Sequence, residues 1–125
     1  MNKILRLLVA LPGVLFVVTG LRWLVDPSAA ATQFAMPLLD GLGRSSQIGD
    51  LSGFFLTLGM VILIALITGK RVWYYPAIML LGFTLLGRIL AWLVHDATLA
   101  IEMIAVEFVV ACLLLFASRK LAERG

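Results

Sequence analysis

The chain has 125 residues, of which 62% are hydrophobic and only 14% charged, with a mean hydropathy of +1.09. That composition lies outside the range of soluble globular domains and marks an integral membrane protein. The formal charge of +3 arises from Lys and Arg gathered on one side of the membrane, so the basic balance carries no nucleic-acid signature.

Four apolar runs reach the roughly 20 residues needed to cross a ~30 Å hydrocarbon layer, at about residues 4–25, 48–68, 74–94 and 99–117. They predict an all-α membrane protein: one four-helix up-down-up-down transmembrane bundle over residues 1–125, with a short interfacial helix in the first loop. In the first run, Pro12-Gly13 predicts a bend, and Gly13 and Gly20 are small enough to let another helix approach. A cleavable signal peptide is the competing reading of residues 1–20, because Lys3 and Arg6 resemble its basic start and Ala29 to Ala31 a cleavage site. Arg22 and Asp26 interrupt that pattern and the apolar run is too long for it, so a retained span is expected.

Asp26-Pro27 is an N-cap followed by a proline suited to the first helical position, which predicts a short helix over about residues 27–36, stopped by Pro37. Its alanines, Phe34 and Met36 make it apolar enough to lie on the interface or cap the bundle. Asp40-Gly41-Leu42-Gly43 predicts a turn before the second span. That span carries Gly49, Gly53 and Thr57, a small-residue stripe expected to pack against another helix. The remaining connections, residues 69–73 and 95–98, are short and require antiparallel neighbours. Cys112 is alone, which excludes an intramolecular disulfide and confines it to packing within the fourth span.

Lys3, Arg6, Lys70, Arg71, Arg119, Lys120 and Arg124 all fall on one side of a four-span bundle, against Arg22, Arg44 and Arg88 on the other. The positive-inside rule places both termini in the cytoplasm. With Glu123 that side sums to +6, and the opposite side, with six acids and three arginines, to −3. Trp73, Tyr74 and Tyr75 are expected in the inner aromatic belt, and Trp23 and Trp92 in the outer one.

Charges inside hydrocarbon cost from ~2.5 kcal/mol upward, so they face protein and find partners. Arg22, Asp50, Arg88, Glu102 and Glu107, joined by Trp92 and His95, all map to the half of the bundle away from the termini. They predict a polar chamber beneath the long first loop, opening outward. Arg88, Trp92 and His95 are spaced by four and three residues and share one helix face. Glu102 and Glu107 lie about 140° apart on their helix and are expected to point differently. Glu107 is expected to pair with Arg88, Glu102 to occupy the first turn of the fourth span where the helix dipole favours an anion, and Asp50 to reach Arg22. One histidine at a loop is a solvated turn residue rather than a metal ligand, and no metal or cofactor is expected.

Leu86-Gly87-Arg88-Ile89-Leu90, Asp96, and Val106-Glu107-Phe108, with Asp50-Leu51-Ser52-Gly53-Phe54-Phe55 and Leu58-Gly59, carry a resemblance over nearly the whole chain. The chain resembles the bacterial domain of unknown function 4345 family, small four-helix membrane proteins within the wider DoxX-like group. The resemblance implies a bundle with a polar centre at Arg88 and Glu107, in the bacterial inner (cytoplasmic) membrane, and carries no established reaction. Its wider group includes proteins implicated in quinone-linked oxidation and others acting as membrane chaperones or cargo receptors. Where family members often place a basic residue or a Gly-Gly pair, this chain has Asp50 and Ser52-Gly53.

The function expected is binding, by Arg22, Asp50, Arg88, Trp92, His95, Glu102 and Glu107, of a lipid, quinone or other amphipathic small molecule, or of a membrane-protein partner, a second copy included. The alternative is a membrane enzyme acting on a lipid-soluble substrate, an isomerase or quinone-linked oxidoreductase, with Glu107 as acid or base and Arg88 holding an anionic or carbonyl oxygen. A proton-coupled carrier is a third reading, since membrane-embedded acids also serve as relays. A purely structural set of ion pairs is the fourth.

Overall fold

The computed structural model describes residues 2–122; Glu123 and Arg124, counted in the charge asymmetry above, lie outside the described residues. Helix α1 (Asn2–Val25) leads through Asp26 into the short α2 (Pro27–Gln33), followed by α3 (Gly41–Thr68), a single 3-10 turn (Arg71–Trp73), α4 (Tyr74–Val94) and α5 (Ile101–Lys120). The four long helices are each long and apolar enough to cross a membrane, and they form an all-α, multi-pass bundle. Its outer surface is a band of exposed apolar side chains, including Leu7, Leu11, Leu15, Met79, Phe83 and Val109, as lipid contact requires.

Local chemistry sets most of the boundaries. Asp26 caps α2 by accepting a 3.4 Å hydrogen bond from the Ala29 amide, with Pro27 at the first helical position. The helix stops at Gln33, three residues short of the expected end, because Ala35 turns left-handed at φ +58° and the Met36 amide donates back to the Ala31 carbonyl at 2.9 Å. That reversal folds Phe34 and Met36 onto the bundle. Gly69, left-handed at φ +67°, ends α3 in the same way, where glycine carries no Cβ penalty.

Helix α3 begins at Gly41 rather than at the expected residue 48, and Gly41 to Gly43 form its first turn rather than a separate loop. Its 28 residues span about 42 Å, more than the hydrocarbon thickness, so the polar first two turns project beyond the apolar span and are invisible to a hydropathy count. Buried Gln47 anchors them, with its Oε1 accepting from the Leu39 amide and its Nε2 donating to the Pro37 carbonyl, both at 2.9 Å.

Packing divides the bundle into two ends. At the end holding both termini, Leu5 and Val9 of α1, Leu58, Ile62 and Ala65 of α3, Ala77 and Leu81 of α4, and Leu114 and Ala117 of α5 form one dry core. Arg6 and Arg71 close it by donating to the otherwise unpaired carbonyls of Leu66 at 3.2 Å and Ser118 at 2.8 Å, at the C-terminal turns of α3 and α5. The other end has a smaller core in which Ala30 and Ala31 of α2 are buried against Trp23 and Phe55.

Helices α1 and α3 make the closest approach. A Cβ on Gly59 would sit 2.6 Å from the Gly13 carbonyl oxygen and 2.7 Å from the Val17 nitrogen; one on Gly20 would sit 2.8 Å from the Leu56 nitrogen. The expected contact through Gly13 and Gly20 is therefore present. The one expected through Gly49 and Gly53 is not: both face open space, with nothing within 4 Å of an added Cβ. Two aromatic expectations are corrected as well. Trp23 and Tyr74 are buried rather than belted at an interface, Trp23 because α2 folds over it and Phe34 stacks on it at 6.4 Å, Tyr74 because it joins the terminal-end core.

Candidate functional site

Above the dry core the helices separate, and the space between them is a cavity built around one ion pair. Arg88 of α4 donates from Nε to Glu107 Oε1 of α5 at 2.8 Å, and a longer 3.5 Å contact joins Nη2 to Oε2. The pair is partly covered, with side chains 27% and 12% exposed. Two adjoining compartments meet at it. The wider, about 410 Å³, lies between Leu15, Phe16 and Thr19 of α1 and Glu102, Met103 and Val106 of α5, with Gln33 and Phe34 at the α2 end. The narrower, about 210 Å³, runs between Leu51, Phe54 and Phe55 of α3 and Thr84 of α4, with Phe34 and Met36. Phe34, Phe55, Met103, Arg88 and Glu107 border both.

Aromatic packing forms the roof. Phe34 lies 5.0 Å from Phe55, which contacts Phe16 at 6.0 Å and Phe54 edge-on at 5.0 Å, so α1, α2 and α3 are tied together over the charge pair. A larger exterior groove of about 510 Å³, lined by Thr57, Val72, Tyr75, Pro76, Met79, Leu80 and Phe83, carries no charged side chain. Size therefore does not select the site. Convergent polar groups beside apolar walls do, and the Arg88–Glu107 cavity combines them where the exterior groove does not.

The hydrogen-bonding state of the lining decides what it can offer. Thr84 and Thr19 spend their hydroxyl protons on the Leu80 and Leu15 carbonyls, at 2.7 and 2.8 Å, and turn only lone pairs toward other partners. Gln33 accepts from Arg22 Nη1 at 2.9 Å, which leaves its amide NH2 without a protein acceptor among the described residues. Arg88 Nη1 is likewise uncommitted there.

The seven expected site residues divide. Arg88, Glu107 and Glu102 line the cavity, and Glu102 sits in the first turn of α5 as expected. Glu102 and Glu107 border the same compartment despite their angular separation, because Glu102, Val106, Met103 and Glu107 succeed one another around an arc of about 140° and the cavity is wide enough to meet all of it. Arg22 does not reach Asp50. It is held by Gln33 at the rim, while Asp50 is exposed on α3 and forms no ion pair with a described residue. The two share a depth in the bundle, and depth does not fix which way a helix is rotated. Trp92 shares the Arg88 face but lies one turn beyond the pair and is 46% exposed; His95 is the exposed C-cap of α4. Neither borders the cavity.

Thr84, Met103, Gln33 and the phenylalanine roof are cavity residues that sequence reading missed. Two of them had a signal: Thr84 and Met103 lie four residues before Arg88 and Glu107, hence on the same faces. No family model, curated protein or solved structure matches the chain.

Proposed function

We propose that this protein binds a small amphipathic or lipidic molecule in the cavity around Arg88 and Glu107. One observation carries the reading: the ion pair borders some 410 Å³ of space instead of being sealed by helix packing, and that volume lies within the roughly 300–1,000 Å³ of ligand pockets. A pair serving only to lock helix order has no need of such a space beside it, whereas a bound molecule does. Phenylalanine walls beside a few polar groups suit a molecule with a tail and a head.

The test compares Glu102→Gln with the unaltered protein. Glu102 is exposed at the rim and makes no ion pair with a described residue, so its charge contributes little to folding, under about 1 kcal/mol. The melting temperature should hold while native mass spectrometry shows altered retention of a co-purified small molecule. No retained molecule in either protein, together with a large drop in melting temperature for the variant, would leave a purely structural charge cluster.

Membership of the domain of unknown function 4345 family, and with it residence in a bacterial inner membrane, is part of the same proposal and rests on the Arg88 and Glu107 motifs. Both termini are assigned to the cytoplasm from the clustered cations, which puts the cavity on the far side. In a Cys112→Ala background, an impermeant thiol reagent applied to intact cells should label Ser45→Cys and spare Lys70→Cys. Labelling of position 70 alone would invert the topology.

A further inference from the structure

The chemistry of the lining narrows the class of ligand, granted the binding reading above. Three ionisable side chains border the wider compartment, Arg88, Glu102 and Glu107, so one carboxylate is left over after the Arg88–Glu107 pair. Glu107 Oε2 is only loosely held, at 3.5 Å, and Glu102 is committed to no described residue. Thr19 adds lone pairs, its proton being spent on Leu15. Arg22, hydrogen-bonded to the lining residue Gln33, does not itself border the space. Two donors also remain, Arg88 Nη1 and the Gln33 amide NH2, but the charge bordering the space is one carboxylate in excess.

An anionic head group could reach Arg88 Nη1 but would stand beside two carboxylates with one guanidinium, already shared with Glu107, to balance it. A head that donates hydrogen bonds and carries positive charge meets Glu102 and Glu107 Oε2 directly. The dry terminal-end core closes the space from below and the phenylalanine roof from above, which leaves the gap between α1 and α5, flanked by Leu15 and Val106, for the tail. We infer that the site takes a single-tailed cationic amphiphile, in its chemistry a protonated long-chain amine, with the amine at Glu102 and Glu107 and the tail between α1 and α5.

Equilibrium binding of radiolabelled dodecylamine, dodecanol and dodecanoate to the protein in phosphatidylcholine nanodiscs, with empty nanodiscs subtracted, tests this. Dodecylamine should bind tightest, about tenfold or more over dodecanoate, and Glu102→Gln should narrow that ratio by about two- to fivefold. Val106→Trp, which fills the gap at a lipid-exposed position, should abolish the specific component for all three. Dodecanoate or dodecanol equal to or tighter than the amine, with binding still lost in Val106→Trp, would overturn the head-group class and leave the binding reading standing. Absence of specific binding by any of the three, or binding untouched by Val106→Trp, would overturn both.

Discussion

Gly59→Ala will destabilise the bundle by about 2 kcal/mol or more, while Gly53→Ala, six residues earlier on the same helix, will leave stability unchanged or raise it by up to about 1 kcal/mol. The difference lies in what each new methyl meets. At Gly59 it would stand 2.6 Å from both the Gly13 carbonyl oxygen and Val17 Cγ2, and 2.7 Å from the Val17 nitrogen. Two of those atoms are backbone, and a β-branched side chain in a helix has almost no freedom to turn aside. Relief requires α1 and α3 to move apart along the interface that also carries Val9, Leu58 and Ile62. At Gly53 the methyl meets nothing within 4 Å, and the gain in helix propensity stands alone. Unfolding free energies by steric trapping in micelles would measure both. Equal losses at the two positions would show that the α1–α3 contact is wrongly registered, or that Gly53 is packed against something outside this chain.

Removing either charge of the Arg88–Glu107 pair, by Arg88→Met or Glu107→Gln, should cost about 2 to 4 kcal/mol, because the survivor is left partly buried without its partner. The lower half of that range is favoured by the 27% exposure of Arg88, which lets water compensate in part. The double variant should cost at least about 1 kcal/mol less than the two singles combined, since it leaves no orphaned charge. The same unfolding measurement gives the cycle. Strict additivity would show that the two side chains do not meet in the bilayer.

The ion pair is legible in the sequence; the glycine contacts are not. That Arg88 and Glu107 pair follows from burial cost alone: a cation and an anion at similar depth on neighbouring antiparallel helices are each other's least costly partners. The four spans, the proline-started α2 with its Asp26 cap, and a cavity in the half away from the termini follow from hydropathy, capping chemistry and charge placement, all properties of local sequence. Which small residues touch does not. Gly49-Gly53 is as good a close-packing motif as Gly13 and Gly20, yet only the latter, with Gly59, lie on the α1–α3 seam. Helices α1 and α3 have nearly uniform apolar surfaces, because lipid and protein interior reward the same side chains, so periodicity cannot report their rotation. The same ambiguity put Asp50 beside Arg22 and hid Phe34, Phe55 and Gln33 from the chamber, whereas Trp92 and His95 miss it by position along α4, toward its C-terminal end. Composition and local chemistry settled the number and depth of the helices and the start of α2; only tertiary packing decided how each one is turned about its axis, and therefore which side chains form the site.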